Sequence, residues 1–282
     1  MIMGNLHYSF LMKLVLRIGL IILTLIIIIP FLYILMNSFK TTAEFYADIW
    51  SIPTKIDLTN YSMALNKTQL HAYAINTVFI VSISVFLNLS MASMISYVIT
   101  RMGLKRSKTL YKYFLIGLLV PHIIAVLPLF MLARVIGLYN SRAILIIAYS
   151  VFSLPFGVFV LTAFFKTLPS ELEQSAKIDG AGYLATFLRI ILPLAKPGLI
   201  TIGVFNFLDY WNEYILPLTL IVDERKKTVS MAILQLQVAQ SVKQEWGALF
   251  AACIVVILPV LVVYGIFQRN LTEGLTAGSL KG

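Results

Sequence analysis

Apolar residues fall along the chain in long unbroken runs, not in alternation. Six stretches, about Leu14–Met36, Ala74–Thr100, Leu110–Leu132, Ala143–Phe165, Pro197–Val222 and Gly247–Phe267, reach the roughly 20 mostly apolar residues that a membrane-crossing helix needs. Polar, turn-forming segments separate them. Barrel strands would show alternation over about ten residues, and backbone groups in hydrocarbon must be bonded within their own segment. The pattern therefore predicts an all-α membrane protein, a six-transmembrane-helix bundle with 1–282 as a single domain. The first run follows Lys13 and Arg17, as a signal peptide would. It is too long for such a segment, and no small-residue cleavage site follows Pro30 or Met36, so it reads as a retained helix. Pro30, Pro121, Pro128, Pro155, Pro217 and Pro259 lie in the runs, each removing a donor. Such prolines are also common in spanning helices generally.

Composition strengthens this picture. Of 282 residues 60% are apolar and 12% charged, against about 25% charged in an ordinary soluble domain. Mean hydropathy is +0.91. The net charge of +10 would otherwise suggest a nucleic-acid binder; in so apolar a chain it points to loops facing an anionic membrane. Arg101, Lys105, Arg106, Lys108 and Lys112 crowd the short loop after the second run, which predicts a cytoplasmic loop there and both termini on that side. Cys253 is the single cysteine, so neither an intrachain disulfide nor a cysteine zinc site can be built. His7, His71 and His122 have no metal-ligand spacing, and the chain contains no Gly-Lys dipeptide for a phosphate loop and no G-x-S-x-G elbow. No cofactor and no catalysis are expected, so any driving energy comes from another chain or an ion gradient.

The loop between the fourth and fifth runs, 168–196, is the most informative stretch. Ser170 followed by Glu173 predicts a capping box, and Glu171 and Glu173 suit the positive end of a helix. That helix should run about two turns and stop near Gly180, with the glycine in the left-handed conformation. A second helix, about Tyr183 to Leu192 and ending by Pro193, would return to the membrane. A bilayer-surface helix would carry a broad apolar stripe with basic flanks. Leu172, Ala176 and Ile178 with an acidic start fit a protein-docking projection better.

Gln174-Ser175-Ala176, three residues, Gly180, nine residues and Ile190-Ile191-Leu192-Pro193 match the EAA loop (EAA-x3-G-x9-I-x-L-P) of ABC importer permeases. The flanking Pro169 to Glu173 and Ile178-Asp179-Gly180-Ala181 resemble the version found in carbohydrate uptake permeases. Phe207 to Tyr214 is similar to that family's Trp-Asn segment, Gly274 to Gly282 to the tail of its maltose-type branch, and Arg101 to Lys112 to its basic loop. The resemblance implies a coupling helix in which Ser170, Glu171, Glu173, Gln174, Ser175, Ala176, Lys177, Asp179, Gly180, Ala181 and Gly182 dock on an ATPase. It also implies a sister permease subunit forming a heterodimer, a pair of ATPase subunits, an external solute-binding protein and a sugar cargo, more naturally an oligosaccharide than a monosaccharide. Glycerol phosphate is the alternative cargo. The family usually has Glu-Ala where this chain has Gln174-Ser175, which keeps hydrogen bonding but removes charge assistance.

In the fifth run Asp209 and Glu213 are charges at membrane depth, where charge is costly and usually functional or paired. At 100° per residue Asn206, Tyr210, Glu213 and Pro217 share a face, with Asp209 at its edge. One reading is a substrate pathway lined by Asn206, Asp209, Tyr210, Trp211 and Glu213, an aromatic ring meeting the sugar. The other, of equal weight, is a buried polar contact or a gate. His122 either faces a cavity or bonds a neighbouring helix. In the second run Ser82, Ser84, Asn88, Ser90, Ser93 and Ser96 read as tight helix packing. The stretches about Asn37–Tyr73 and Asp223–Trp246 would be external. An ion-coupled secondary transporter using Asp209 and Glu213, and a membrane scaffold that recruits a soluble partner, are the rival readings.

Overall fold

The structure is a computed structural model and describes residues 10–67, 69–243 and 245–279. All its regular elements are helical. In chain order they are α1 (Phe10–Asn37), α2 (Thr42–Ala47), α3 (Thr59–Ser62), α4 (Leu70–Arg101), α5 (Ser107–Leu118), α6 (Val126–Val135), α7 (Arg142–Phe152), α8 (Leu154–Thr167), α9 (Glu171–Ile178), α10 (Tyr183–Thr186), α11 (Leu192–Leu194), α12 (Lys196–Asn212), α13 (Ile215–Leu220), α14 (Val229–Lys243) and α15 (Trp246–Ser279). Contacts divide the chain into two units, one of residues up to Gln69 with Gln235–Val255 and one of Leu70–Leu234 with residues from Val256 onward.

Among the described residues three helices, Phe10–Asn37, Leu70–Arg101 and Trp246–Asn270, are long and apolar enough to cross a membrane unbroken. Three bent pairs would raise the number to six if each counts as one span: 107–118 with 122–135 (89°), 142–152 with 154–167 (40°), and 183–194 with 196–212 (73°). The third and fourth predicted spans are therefore not continuous helices, the fourth being interrupted at Ser153, and the fifth is broken too, between α12 and α13. In the third, Pro121 adopts an extended conformation between α5 and a 3-10 turn at His122–Ala125. A proline there has no N–H to continue the ladder and pushes its predecessor out of the helical region. The fifth breaks at Glu213, which is extended (φ −66°, ψ 126°). Pro30 and Pro259, in contrast, lie inside unbroken helices.

In the first unit, Lys40 is fully buried and its ammonium donates to the carbonyls of Asp48 (3.1 Å) and Ile49 (3.3 Å), while Asn60 donates to the carbonyls of Ser38 and Lys40. Thr41 and Glu44 form a complete capping box on α2. Phe45, Tyr46, Trp246 and Phe250 make an aromatic cluster, and the Trp246 indole donates to the Tyr46 hydroxyl at 2.8 Å. The large apolar side chains of α1 are exposed along most of its length, as suits a helix solvated by lipid.

In the second unit α4 is the spine, flanked by α7, α8 and α12. Ser84, Asn88, Ser93 and Ser96 are buried on it, as the packing reading requires, whereas Ser82 is exposed. Small and amide side chains let backbones approach and supply bonds between helices. Asn88 donates to the Ser150 carbonyl (2.8 Å) and accepts from the Asn206 amide (2.8 Å), while Ser96 donates to the Val158 carbonyl (3.3 Å). The α4–α8 crossing is close enough that a Cβ on Gly157 would lie 2.7 Å from the Ala92 Cβ. Two apolar clusters lie on this spine, one around Ile80, Leu145 and Leu220, the other around Ala92, Leu161, Phe165 and Ile202.

The segment after α13 is held by ionic and polar bonds. Glu224 pairs with the Lys227 ammonium and accepts from the Tyr73 hydroxyl at 2.7 Å. These bonds, the Lys227 one first, hold the Glu224 carboxyl below its ordinary value. A depressed carboxyl stabilises the fold above the ordinary carboxylate range and loses that contribution as pH falls through the lowered value.

Two predictions follow from this packing and this pairing. Gly157→Ala should destabilise the protein by about 1–3 kcal/mol through overpacking, read as a lowered melting temperature in detergent, with Gly182→Ala, which meets open space, as the silent control. Glu224→Gln should lower thermal stability at neutral pH and flatten its decline on acidification, so that wild type and variant converge at the acid end of a melting series.

Candidate functional site

Two regions carry the residues singled out by sequence. The first is the 168–196 loop. Helix α9 spans Glu171–Ile178, with Asp179 as C-cap and Gly180 left-handed at φ +76°. The Gly180 N–H donates to the Lys177 carbonyl (3.1 Å) and the Ala181 N–H to the Ala176 carbonyl (2.8 Å). That double closure is the Schellman arrangement that a glycine at this place permits. Length and stop agree with the sequence expectation.

The start of α9 does not. Ser170 is the N-cap residue, but it is itself helical (φ −72°, ψ −20°) and its side chain makes no cap bond, so the capping box does not form. A capping hydroxyl needs an extended backbone to reach the third amide. The Glu173 carboxylate turns inward to Arg101, with Nη1 to Oε2 at 3.5 Å. The returning segment also differs. It runs through a π turn (Phe187–Ile191) and α11 to Leu194, so Pro193 lies inside it near the start of α11 and does not end it. A π turn leaves one amide position without a helical partner, which a proline can fill at no cost in hydrogen bonds.

Glu171, Gln174, Ser175, Lys177, Ile178, Asp179, Gly180 and Gly182 are exposed. Ala176 is buried, while Leu172, Glu173 and Ala181 are half-buried. Ile178, at 85% exposure, is followed by the exposed Tyr183 and Leu184. The loop thus presents apolar and polar outward-facing side chains on and after a two-turn helix closed at its C-terminal end. The tail resemblance falls partly on 280–282, which lie outside the described residues; the backbone before them is helical to Ser279.

The second region is the break in the fifth span. Because the helix stops at Asn212, Pro217 does not share a helical face with Asn206, Tyr210 and Glu213, and the single stripe read from periodicity is replaced by a kinked one. The Glu213 Oε1 accepts the N–H groups of Ile215 (2.6 Å) and Leu216 (3.0 Å), restarting the chain as α13. Asp209, Tyr210 and Glu213 line a cavity of about 140 Å³ together with His122, Tyr149, Phe152 and Ser153. A second cavity of about 260 Å³ shares His122, Phe152, Ser153 and Asp209 and adds Asn206. Both exceed the roughly 10–15 Å³ of such space that a single water needs.

The five residues do different things. Asp209 is exposed to the cavities. Tyr210 stacks on Tyr149 (4.9 Å between centroids, 10°) and donates its hydroxyl to the Tyr149 carbonyl at 2.8 Å, so that ring face is covered. Asn206 is committed to Asn88. Trp211 is buried, stacked on Phe207, and its indole donates to the Val256 carbonyl (3.1 Å); it lines neither cavity. Sequence reasoning missed Tyr149 and Ser153. The Tyr149 hydroxyl is buried without a hydrogen-bond partner among the described residues. His122, left open between two roles, faces the cavities and stacks on Phe152 (5.3 Å). A polar wall of this kind can hydrogen-bond a hydroxyl-rich solute.

These features describe an apolar helical protein fit to cross a membrane several times, with an exposed two-turn helix in the 168–196 loop and polar cavities at a helix break. Residues 89–276 match the family of binding-protein-dependent transport system inner membrane components. The chain is 36% identical to the diacetylchitobiose uptake system permease protein NgcG of Streptomyces coelicolor, over 93% of this chain and 87% of that protein. It is 31% identical to the trehalose/maltose transport system permease protein MalG of Thermococcus litoralis, over 96% and 97%. A chain from a bacterial ABC transporter involved in the import of the acidic polysaccharide alginate superposes with a TM-score of 0.82 over 93% of this chain and 98% of that one; at 22% identity this speaks for the fold. The protein belongs to the ABC importer permease family of carbohydrate uptake, as a transport component and not an enzyme.

Gly180→Ala should strain the left-handed turn by about 1–2 kcal/mol, whereas Gly180→Asn should cost less because asparagine tolerates that region. Limited proteolysis of the loop in intact membranes would rank them, Ala opening faster than Asn and Asn faster than wild type.

Proposed function

We propose that this chain is one permease subunit of an ATP-driven importer that moves an oligosaccharide into the cell. It pairs with a different sister subunit, sits over two ATPase subunits and receives cargo from an external solute-binding protein. On this reading residues 1–282 form one permease domain with six spans, counting each bent pair as one, and both termini face the cytoplasm. The carrying observation is the helix Glu171–Ile178, closed at its C-terminal end by Gly180, with Gln174, Ser175, Lys177 and Ile178 exposed, in a chain of this family. It is the coupling helix, with Ser170, Glu171, Asp179, Gly180, Ala181 and Gly182 flanking its docking face, and with Glu173 and Ala176 on the inner side, turned to the bundle. A partner shifts a conformational equilibrium only by binding its states unequally, and a stiff helix held at both ends is suited to pass on such a difference.

The cavities at the helix break are the proposed cargo route, with Asp209, Tyr210 and Glu213 on the wall and Asn206 and Trp211 holding α12 in place behind it. Sugar is favoured over glycerol phosphate because a phosphate would meet two carboxylates, Asp209 and Glu213, in the same cavity. The names of the relatives, diacetylchitobiose and trehalose/maltose permeases, support a disaccharide or longer cargo.

The test is uptake by vesicles carrying the complete importer. Gly180→Pro, which cannot adopt φ +76°, and Asp179→Lys should each cut ATP-driven uptake at least tenfold while the chain still inserts in the membrane. Normal uptake in both variants, or uptake by the chain alone under a proton or sodium gradient, would overturn the proposal.

A further inference from the structure

The last turn of α4 grips the 168–196 loop at two points. Tyr97 and Arg101, four residues apart and so on one face of the helix, reach the two halves of the loop separately. Tyr97 stacks on Phe187, in the π turn of the returning segment, with centroids 5.0 Å apart. Arg101 places one guanidinium nitrogen, Nη2, on the carbonyls of Phe165 and Leu168 (2.8 Å to the latter), closing the C-terminal end of α8. Its other terminal nitrogen, Nη1, meets the Glu173 carboxylate of α9 at 3.5 Å. The two side chains are largely buried, at 10% and 21% exposure.

The contact is only half used. Arg101 Nε and Glu173 Oε1 are both buried and have no hydrogen-bond partner among the described residues. A guanidinium and a carboxylate can form two parallel bonds, and this pair makes one long one. A small shift of α9 toward Arg101 would shorten that one bond, and a shift the other way would leave two facing charges unpaired in a buried place, which is costly. The pair therefore has unequal energies in different positions of α9, which is the property a force-transmitting contact needs.

We propose that Arg101 is the positioning residue through which displacement of α9 is passed to α4 and α8. Glu173 then faces the bundle and not the ATPase, and Arg101 belongs functionally to the loop although it lies 72 residues before Glu173. Lysine cannot replace it, because a point-like ammonium cannot serve two carbonyls and a carboxylate in one plane. This inference rests on the docking reading of the loop, and the experiment separates the two.

The full importer is reconstituted in nanodiscs with wild type, Arg101→Lys, Glu173→Gln and the double variant. Three quantities are read: ATP hydrolysis with and without the external solute-binding protein, cargo moved per ATP, and disulfide crosslinking of Ser175→Cys to the ATPase in a Cys253→Ala background. Each single variant should lower binding-protein-stimulated hydrolysis and cargo per ATP about tenfold, with unstimulated hydrolysis and the crosslink retained. The double variant should be within twofold of the worse single one, since both remove the same contact. Stimulation within twofold of wild type in Glu173→Gln, or losses that multiply in the double variant, would overturn the role of Arg101. Should Arg101→Lys fail to fold, Glu173→Gln alone decides by the same threshold. Absence of the Ser175 crosslink in the otherwise wild-type importer would instead overturn the docking reading itself.

Discussion

A backbone in hydrocarbon has to bond its amides and carbonyls inside its own helix or find substitutes nearby, and in this chain the substitutes are where polar side chains gather. Pro217 shows the logic. It has no N–H for the carbonyl of Glu213, and its ring would strike that carbonyl in a continuous helix. The helix stops, the freed Glu213 carbonyl accepts the Ser230 hydroxyl at 2.7 Å, and the Glu213 carboxylate takes up the amides of Ile215 and Leu216. At the far end of α13 the Leu220 carbonyl accepts the Asn140 amide, and the Asn140 side chain accepts from Val222 and Asp223. The break that needs these groups is also the break that opens the cavities beside Asp209 and His122.

The same economy explains α4. Apolar packing alone does not hold helices together in lipid, since lipid tails solvate leucine as well as a neighbouring helix does. Close approach and polar bonds do the work, at about 0.6 kcal/mol per interhelical bond. Asn88, bonded to both Ser150 and Asn206, ties α4 to α7 and to α12 at one level, and Arg101 ties its end to α8 and α9. One unbroken helix thus carries contacts both to the helix bearing Asp209 and to the exposed loop.

Much of this was legible in the sequence, and the misses share a cause. Long apolar runs marked where apolar helices lie, though three of the six are broken, and the stop at Gly180 followed from local chemistry and emerged as expected. Ser170 and Glu173 looked like a capping box because that motif is local; the partner Glu173 finds is Arg101, at a separation no local rule can see. The face shared by Asn206, Tyr210, Glu213 and Pro217 assumed an unbroken helix, although Pro217 itself carried the signal against it, four residues after the carbonyl it displaces. Pro30 and Pro259 carry the same local signal and leave their helices intact, so proline alone does not announce a break. Tyr149 and Ser153 were invisible because they reach the cavity from another helix.

The inward turn of Glu173 changes what the outer face of α9 can offer. With Glu173 engaged by Arg101, and Gln174 uncharged, the exposed ionic groups are Glu171, Lys177 and Asp179, of mixed sign. Long-range attraction toward a charged groove is then weak. Ile178, 85% exposed, supplies the largest apolar increment on the helix, and covering such a side chain fully is worth about 1.5–3 kcal/mol. On the docking reading, the ATPase therefore holds this helix by shape and apolar contact more than by charge, a grip that salt weakens little. The ionic contact that does respond to the position of α9 lies on its inner side, where burial shields it from the same salt.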